Sequence, residues 1–293
     1  YTATVIGMIR DGTPFDQVLY GDHLYTGSQA LVTAGTIAAH SNENNNHYRD
    51  LETASVDLSN PANLLRVDQS TVTGIPDTAG VLTTRASGEA YFSAGTNRRA
   101  FRFATVNFLC RDLELLQDTS ISDYRVRRDV DRSPGGDSRV YKNKCVGCHA
   151  LQDGLGGAFA RFNFNDNRVT YTPDAVQGKY NQNGGIFPQG YVTADDSWVN
   201  LITVGRNAAL GWRKPAPNIE VTQGHGARSL GRVLASTRAF SSCMVERVFQ
   251  KVCLRGPSVQ ERSRLEQITD AFESSNYAIK PVFAEVTQFC LGE

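Results

Sequence analysis

Residues 145–149 read Cys145-Val146-Gly147-Cys148-His149, and this short segment decides how the rest of the chain is interpreted. In a Cys-x-x-Cys-His segment, the two thiols can each add to one vinyl group of a haem, and the adjacent histidine can reach the iron. The segment therefore predicts one covalently attached haem c, bound through Cys145 and Cys148, with His149 as an iron ligand.

Two other kinds of site also use a Cys-x-x-Cys pair. A redox dithiol usually opens a helix after a strand in a βαβ unit, and the flanking residues here do not show that pattern. A structural zinc site needs a second close pair of cysteines or histidines, but Cys243 and Cys253 are ten residues apart and no histidine pair occurs. Both alternatives are weaker than haem attachment.

The composition limits the classes of partner. The chain has 293 residues, with 30 basic and 30 acidic side chains, so no net charge points to nucleic acid or to an anionic membrane. No apolar run approaches the roughly 18 residues of a membrane-spanning helix. The sequence starts at Tyr1, which fits a mature form whose signal peptide has been removed. Removal of a signal peptide would place the protein in the periplasm or outside the cell.

Four cysteines lie outside the motif: Cys110, Cys243, Cys253 and Cys290. Four buried thiols are one alternative, and two disulfides in an oxidising compartment are the preferred one. Cys243 and Cys253 share a predicted helix and would lie about 15 Å apart, too far for a bridge. If the last three helices pack up-down-up, Cys253 lies near Cys290 and Cys110 is left for Cys243.

The periodicity of apolar residues predicts a mainly α-helical protein with a cytochrome c-like haem region, long loops and a C-terminal helical bundle. Residues 1–97 form a loop-rich region that wraps the rest, 98–222 a haem domain and 223–293 a C-terminal helical region; the three could form one continuous domain. The predicted helices are 98–117, one from Ser138 into the motif, Trp198–Val204, 238–253, 258–273 and 281–290, with 163–196 as a long loop.

Several segments resemble the Planctomycete-type cytochromes. Before the motif these are Gly80-Val81-Leu82-Thr83-Thr84, Gly95-Thr96-Asn97-Arg98-Arg99-Ala100 and Phe108-Leu109-Cys110; after it they are Asp153, Leu155-Gly156, Ala158-Phe159, Phe240, Cys243 and Arg255. The resemblance covers residues 11–293 in pieces. It implies a secreted or periplasmic haem protein, and little about chemistry. The family often has Met shortly after the haem histidine, whereas Leu151 and Gln152 stand here.

The second axial ligand of the iron has several candidates: His23, His40, His47, His225, Met8 and Met244. We predict His47, which lies in the polar stretch Asn44-Asn45-Asn46-His47-Tyr48, where an imidazole has little other reason to be buried. The resemblance adds support, because many members of that family have a His-Tyr pair in the corresponding stretch. Met244 and His225 are the alternatives, Met244 on an apolar helical stripe and His225 between two glycines.

Other residues are weaker candidates for the site. Four arginines could pair the haem propionates, because Arg binds carboxylates bidentately: Arg98, Arg99, Arg127 and Arg128. Three aromatic residues could line the haem: Trp198, Trp212 and Tyr180. Two acidic fragments resemble parts of calcium loops without the full spacing: Asp195-Asp196 and Asn165-Asp166-Asn167.

Three functions are compatible with a single haem c. An electron carrier holds the iron on both sides and exchanges electrons with redox partner proteins. A peroxidase-like or oxidase-like enzyme needs an open iron position with an acid–base residue above it. A structural haem subunit would form a homo-oligomer or polymer outside the cell. Electron transfer is the preferred prediction.

Overall fold

Helices make up 49 % of the computed structural model, which describes residues 1–292 and has thirteen α-helices in that range. The predicted mainly-α class is confirmed. The helices are Thr2–Asp11 (α1), Gln29–Thr33 (α2), Asn46–Thr53 (α3), Gln69–Thr73 (α4), Arg85–Tyr91 (α5), Arg98–Phe108 (α6), Leu113–Leu116 (α7), Ser138–Val140 (α8), Val146–Gly156 (α9), Gly226–Ala235 (α10), Arg238–Val252 (α11), Arg262–Ser274 (α12) and Ile279–Leu291 (α13).

The structure has three small antiparallel sheets of two strands each. Leu24–Gly27 (β1) pairs with Leu64–Val67 (β2), Phe162–Asn165 (β3) with Arg168–Tyr171 (β4), and Ser197–Val199 (β5) with Gln223–His225 (β6). The long loop expected over 163–196 therefore begins with a hairpin. Its turn is Asp166-Asn167, and both residues have positive φ angles, 51° and 60°, as tight hairpin turns require.

The predicted helix Trp198–Val204 is wrong. Trp198 lies in β5, opposite Gly224 of β6, and its indole Nε1 donates to Ser229 Oγ at 2.8 Å. The side chain is fully buried. A short apolar run does not by itself distinguish a strand from a buried helix, and here the pairing with β6, more than twenty residues away, decides.

The helix predicted over 98–117 is broken in the middle. Phe101, Ala104 and Phe108 are buried along α6 as predicted, but the helix ends there, and Cys110 has a left-handed φ of 52°. Asp112 then caps α7, because its carboxylate accepts from the Leu113 backbone N–H at 2.6 Å. The apolar spacing over 98–117 places Leu115 near the same face as Phe101 and Phe108, but because the helix is broken Leu115 is 59 % exposed.

One large apolar core draws on all three of the predicted regions, for example through Met8, Phe101, Trp198 and Phe249. A second, smaller cluster lies beside the haem motif and contains Val126, Val130, Tyr141, Val146 and Ala150. The motif helix α9 packs between α6, α7 and β5. Gly154 permits the contact with β5, since a Cβ there would lie 2.9 Å from the Val199 carbonyl oxygen. The core thus fixes the motif helix from several sides.

Both predicted disulfides are present. Cys110 and Cys243 have Cα atoms 5.3 Å apart, and those of Cys253 and Cys290 are 5.7 Å apart, both within the range of a disulfide. The second bridge forms because α11, α12 and α13 pack on one another, which brings the end of α11 to the end of α13. Within residues 1–292, every helix is too short or too polar to cross a membrane.

Removing a disulfide should lower the free energy of unfolding by an amount that grows with the logarithm of the number of residues in the loop that it closes. We expect Cys110→Ser with Cys243→Ser to lower the free energy of unfolding by about 5 kcal/mol, and Cys253→Ser with Cys290→Ser by about 4 kcal/mol, since the bridges span 133 and 37 residues. Urea unfolding followed by circular dichroism measures both losses. A larger loss from the short bridge would contradict the chain-entropy explanation.

Candidate haem-binding site

The Cys145–His149 motif lies where an irregular helix becomes regular. The short helix α8 continues through one wide π turn, Tyr141–Cys145, into α9, as the sequence predicted. Tyr141, Val146 and Ala150 are buried in the small apolar cluster and anchor this junction. π turns inside helices occur frequently at functional sites. The buried side chains therefore fix the position of the helical turn that carries the motif.

The three motif side chains lie close together on the helix. Residues at i, i+3 and i+4 are neighbours on a helix, so Cys145, Cys148 and His149 lie side by side. All three are partly exposed. The two thiols are free, whereas the other four cysteines are paired. Both thiols and the imidazole are thus available to one ligand from the same direction.

The environment of Cys148 raises the pKa of its thiol. Its Sγ lies 3.7 Å from the Leu113 carbonyl oxygen, at the start of α7. Burial, and then the nearby carboxylates of Glu114 and Asp112, raise the pKa of the Cys148 thiol above its ordinary value. A thiol with a raised pKa is less reactive as a thiolate than an ordinary cysteine. This environment argues against a catalytic redox dithiol.

The imidazole of His149 has neighbours on one nitrogen only. Nδ1 lies 3.3 Å from the Gln152 side-chain amide nitrogen and 3.8 Å from Asp153 Oδ2. Within residues 1–292 no hydrogen-bond partner of Nε2 is found. Metal-ligating histidines in proteins commonly bind the metal with one ring nitrogen and direct the other towards a carboxylate or carbonyl. His149 has this arrangement.

Asp153 lies behind His149 in a buried charge cluster that we call the Asp153 cluster, formed by Asp153, Arg98, Arg127 and Asp129. The Asp153 side chain is 0 % exposed. It accepts from Arg98 Nε at 2.5 Å and Nη2 at 2.9 Å, from Arg127 Nη2 at 3.0 Å and from the Arg127 backbone N–H at 3.1 Å. Burial alone would raise the pKa of this carboxyl, but Arg127 and Arg98 hold it well below its usual range. Asp153 is therefore an anion facing His149.

Both arginines of the cluster are tied to neighbouring side chains. Arg98 also binds Asp129 with Nη1 at 2.7 Å and Nη2 at 2.9 Å. Arg127 is 1 % exposed, donates to Thr96 Oγ1 at 3.0 Å and stacks 4.9 Å from the centre of the Tyr180 ring. These contacts correct the expectation that Arg98 and Arg127 pair the haem propionates. Their carboxylate partner is Asp153.

The residues present fit a covalently bound haem. The donor set consists of two free thiols at the required spacing and one imidazole with an unoccupied Nε2, all on one partly exposed helix face. The anchored carboxylate behind the imidazole completes the arrangement that metal-ligating histidines use. Among the described residues no cluster of three or more His, Cys, Asp or Glu side chains could hold a bare metal ion instead.

His47 does not have the environment from which it was predicted to be the distal ligand. It lies in the first turn of α3 rather than in a loop, and it is 1 % exposed. Its Nδ1 donates to the Ala38 carbonyl oxygen at 2.6 Å, and its Nε2 accepts from the Gly27 N–H at 2.8 Å. These two backbone hydrogen bonds explain the burial without iron, and neither nitrogen is left for a metal. This corrects the reason for choosing His47.

The alternatives Met244 and His225 occupy different surroundings. Met244 is buried on the apolar stripe of α11, in a groove with Phe108 and Ile279. His225, in β6, has a 69 % exposed side chain, and its Nδ1 lies 3.5 Å from Asp196 Oδ1. Asp196 is itself held by Arg161 at 3.2 Å, so this acidic fragment forms ion pairs rather than part of a calcium loop.

The residue of the candidate site that the sequence did not reveal is Asp153. It was recognised only as part of a resemblance, although its position four residues after His149 was a usable signal, because i and i+4 side chains meet on a helix. The aromatic residues Trp198 and Tyr180, expected beside the haem, are fully buried.

Comparisons with protein-family models, with curated proteins and with solved structures found no match to this chain.

Proposed function

We propose that this protein is a monohaem c-type cytochrome that transfers electrons in the periplasm or outside the cell. The observation that carries the proposal is the motif face of α9, where Cys145, Cys148 and His149 present two free thiols and an imidazole together. Haem bound there supplies a one-electron ferric/ferrous couple. The resemblance to Planctomycete-type cytochromes supports the same function.

Each residue of the candidate site would have a defined role in binding the haem. Cys145 and Cys148 would fix the cofactor through two thioether bonds, and His149 Nε2 would bind the iron. The small apolar cluster would exclude water from the Cys145 side, since Val146 and Ala150 are buried there. The rigid core around α9 would keep the coordination sphere the same in both oxidation states, which lowers the cost of electron exchange.

The two disulfides support the proposed location. Disulfides persist in the periplasm and outside the cell and are rare in reducing compartments. Cys110–Cys243 and Cys253–Cys290 use all four cysteines that the motif leaves. The balanced charge, 30 basic and 30 acidic residues, favours redox partner proteins over nucleic acid.

A second candidate function is a haem enzyme with an open iron position. The observation that favours it is the environment of His47, whose two ring nitrogens are both held by backbone groups. If no other side chain binds the distal face, small molecules can reach the iron.

Spectra of the haem-loaded protein distinguish the two functions. For an electron carrier we expect six-coordinate, low-spin iron in both oxidation states and a reversible one-electron titration. His47→Ala should leave that spectrum unchanged, because the structure gives His47 a structural role, and His225→Ala and Met244→Leu serve as matched variants of the other candidates. High-spin, five-coordinate iron that reacts with peroxide or binds carbon monoxide would contradict electron transfer and support the enzyme.

A further inference from the structure

We propose that Asp153 is a positioning residue for the iron ligand His149, fixing its orientation and its tautomer and favouring the ferric state. The inference rests on the proposed function and names the group that adjusts the reduction potential. It comes from the Asp153 cluster, in which a fully buried carboxylate is held by two arginines and faces one nitrogen of a histidine whose other nitrogen is free.

The first step concerns the proton on His149. A neutral imidazole that binds iron through Nε2 must carry its proton on Nδ1. Asp153 Oδ2 lies 3.8 Å from Nδ1, which is close enough for its charge to attract an N–H on that nitrogen but too long for a full hydrogen bond. A negative charge at this distance in a buried site favours the tautomer whose N–H points towards it. Asp153 therefore selects the tautomer that leaves Nε2 to the iron.

The second step concerns Gln152, the nearer neighbour. Its side-chain nitrogen lies 3.3 Å from Nδ1, and a donor there would require the opposite tautomer. The oxygen and nitrogen of an amide exchange places by a rotation of half a turn, and the orientation is assigned from the surrounding hydrogen bonds. When Nδ1 carries the proton, the Gln152 side-chain oxygen turns towards it and accepts the hydrogen bond. Gln152 and Asp153 then favour the same tautomer of His149.

The third step concerns rigidity. Arg98 and Arg127 hold the Asp153 carboxylate through four donors, so it cannot turn away from His149. Arg98 is in turn fixed by Asp129 at 2.7 Å. Outer-sphere carboxylates of this kind orient metal-binding histidines and raise their basicity, and their loss changes metal affinity about 10-fold to 100-fold. A more basic imidazole stabilises ferric iron relative to ferrous iron.

The test compares reduction potentials of haem-loaded variants by optical redox titration. Asp153→Asn should shift the ferric/ferrous equilibrium at least about tenfold towards ferrous iron, which is about 59 mV for a one-electron couple. Asp129→Asn is the matched control, because it removes the same charge from the same cluster without touching His149. It should shift the potential much less. Equal shifts in the two variants would overturn the proposal.

Two further arms separate the remaining explanations. Gln152→Leu should shift the potential less than Asp153→Asn; a larger shift would assign the positioning role to Gln152 and overturn the proposal.

A measurement on the wild type covers the case in which Asp153→Asn does not fold. With ¹⁵N-labelled histidine in the reduced protein, the Nδ1 proton of His149 should exchange with solvent far more slowly than the ring protons of the exposed His225. Equally fast exchange would overturn the proposal.

These outcomes are distinct from failure of the proposed function. If the purified protein carries no covalent haem, the electron-transfer proposal fails. If haem is attached and the Asp153 and Asp129 variants have equal potentials, only the role of Asp153 fails.

Discussion

Replacing Cys148 by serine should abolish the double attachment of haem and reduce the covalently bound haem to a small fraction of the wild-type amount. A hydroxyl cannot take the place of a thiol in forming a thioether, and the remaining bond through Cys145 leaves one vinyl group unattached. Cys145→Ser should have a similar effect. The measurement is haem staining of the denatured protein on a gel, with the amount of polypeptide determined in parallel.

The chain contains a matched control for this experiment. Cys290→Ser with Cys253→Ser makes the same kind of substitution, but at the two ends of a disulfide between the ends of α11 and α13. That pair of substitutions should lower stability and leave covalent haem per folded chain unchanged. If the Cys148→Ser protein retained wild-type haem staining, or if the control lost it, the assignment of the attachment site would be wrong.

Replacing Asp153 by alanine should cost about 3–5 kcal/mol of folding free energy. The reason is that Arg127, 1 % exposed, has no other carboxylate partner among the described residues; its remaining side-chain hydrogen bond is to Thr96. Removing one partner of a buried ion pair leaves an uncompensated charge in the interior. Chemical unfolding of wild type and variant, followed by circular dichroism, measures the loss.

Asp129→Ala provides the comparison for this prediction. Asp129 is 15 % exposed and pairs with Arg98, which keeps Asp153 as its second partner. Its removal should therefore cost clearly less, on the order of 1 kcal/mol. Equal losses from the two substitutions would show that Asp153 is not the residue that compensates Arg127.

Local patterns in the sequence predicted the parts of the fold that depend on local contacts. The helices predicted over 238–253 and 281–290 correspond to α11 and α13, and the expected packing of the last three helices led to the Cys253–Cys290 pair and left Cys110 for Cys243. Trp198 was misassigned because its strand is defined by pairing with residues 223–225, which no local pattern reveals. The break at Cys110 has the same kind of cause, since its left-handed backbone accompanies a bridge to a helix 133 residues away.

The residues of the candidate site also fall into two groups, those that local spacing reveals and those that only the fold brings together. Cys145, Cys148 and His149 were readable because their chemistry depends on spacing within one helical turn. The Asp153 cluster was not, because Arg98 and Arg127 come from segments 55 and 26 residues away from Asp153. His47 was misjudged because a polar sequence around a histidine does not show which backbone groups will meet its ring. In the fold these are Gly27 and Ala38.

The central claim is that this chain carries one haem bound covalently at Cys145 and Cys148. The most direct measurement is the intact mass of the denatured, reduced protein, produced in cells that attach haem c, followed by mass spectrometry of its peptides. We predict a mass equal to the polypeptide plus one haem, with the added mass on the peptide that contains residues 145–149. A chain of unmodified mass from the same cells, or haem that separates from the polypeptide on denaturation, would contradict this account.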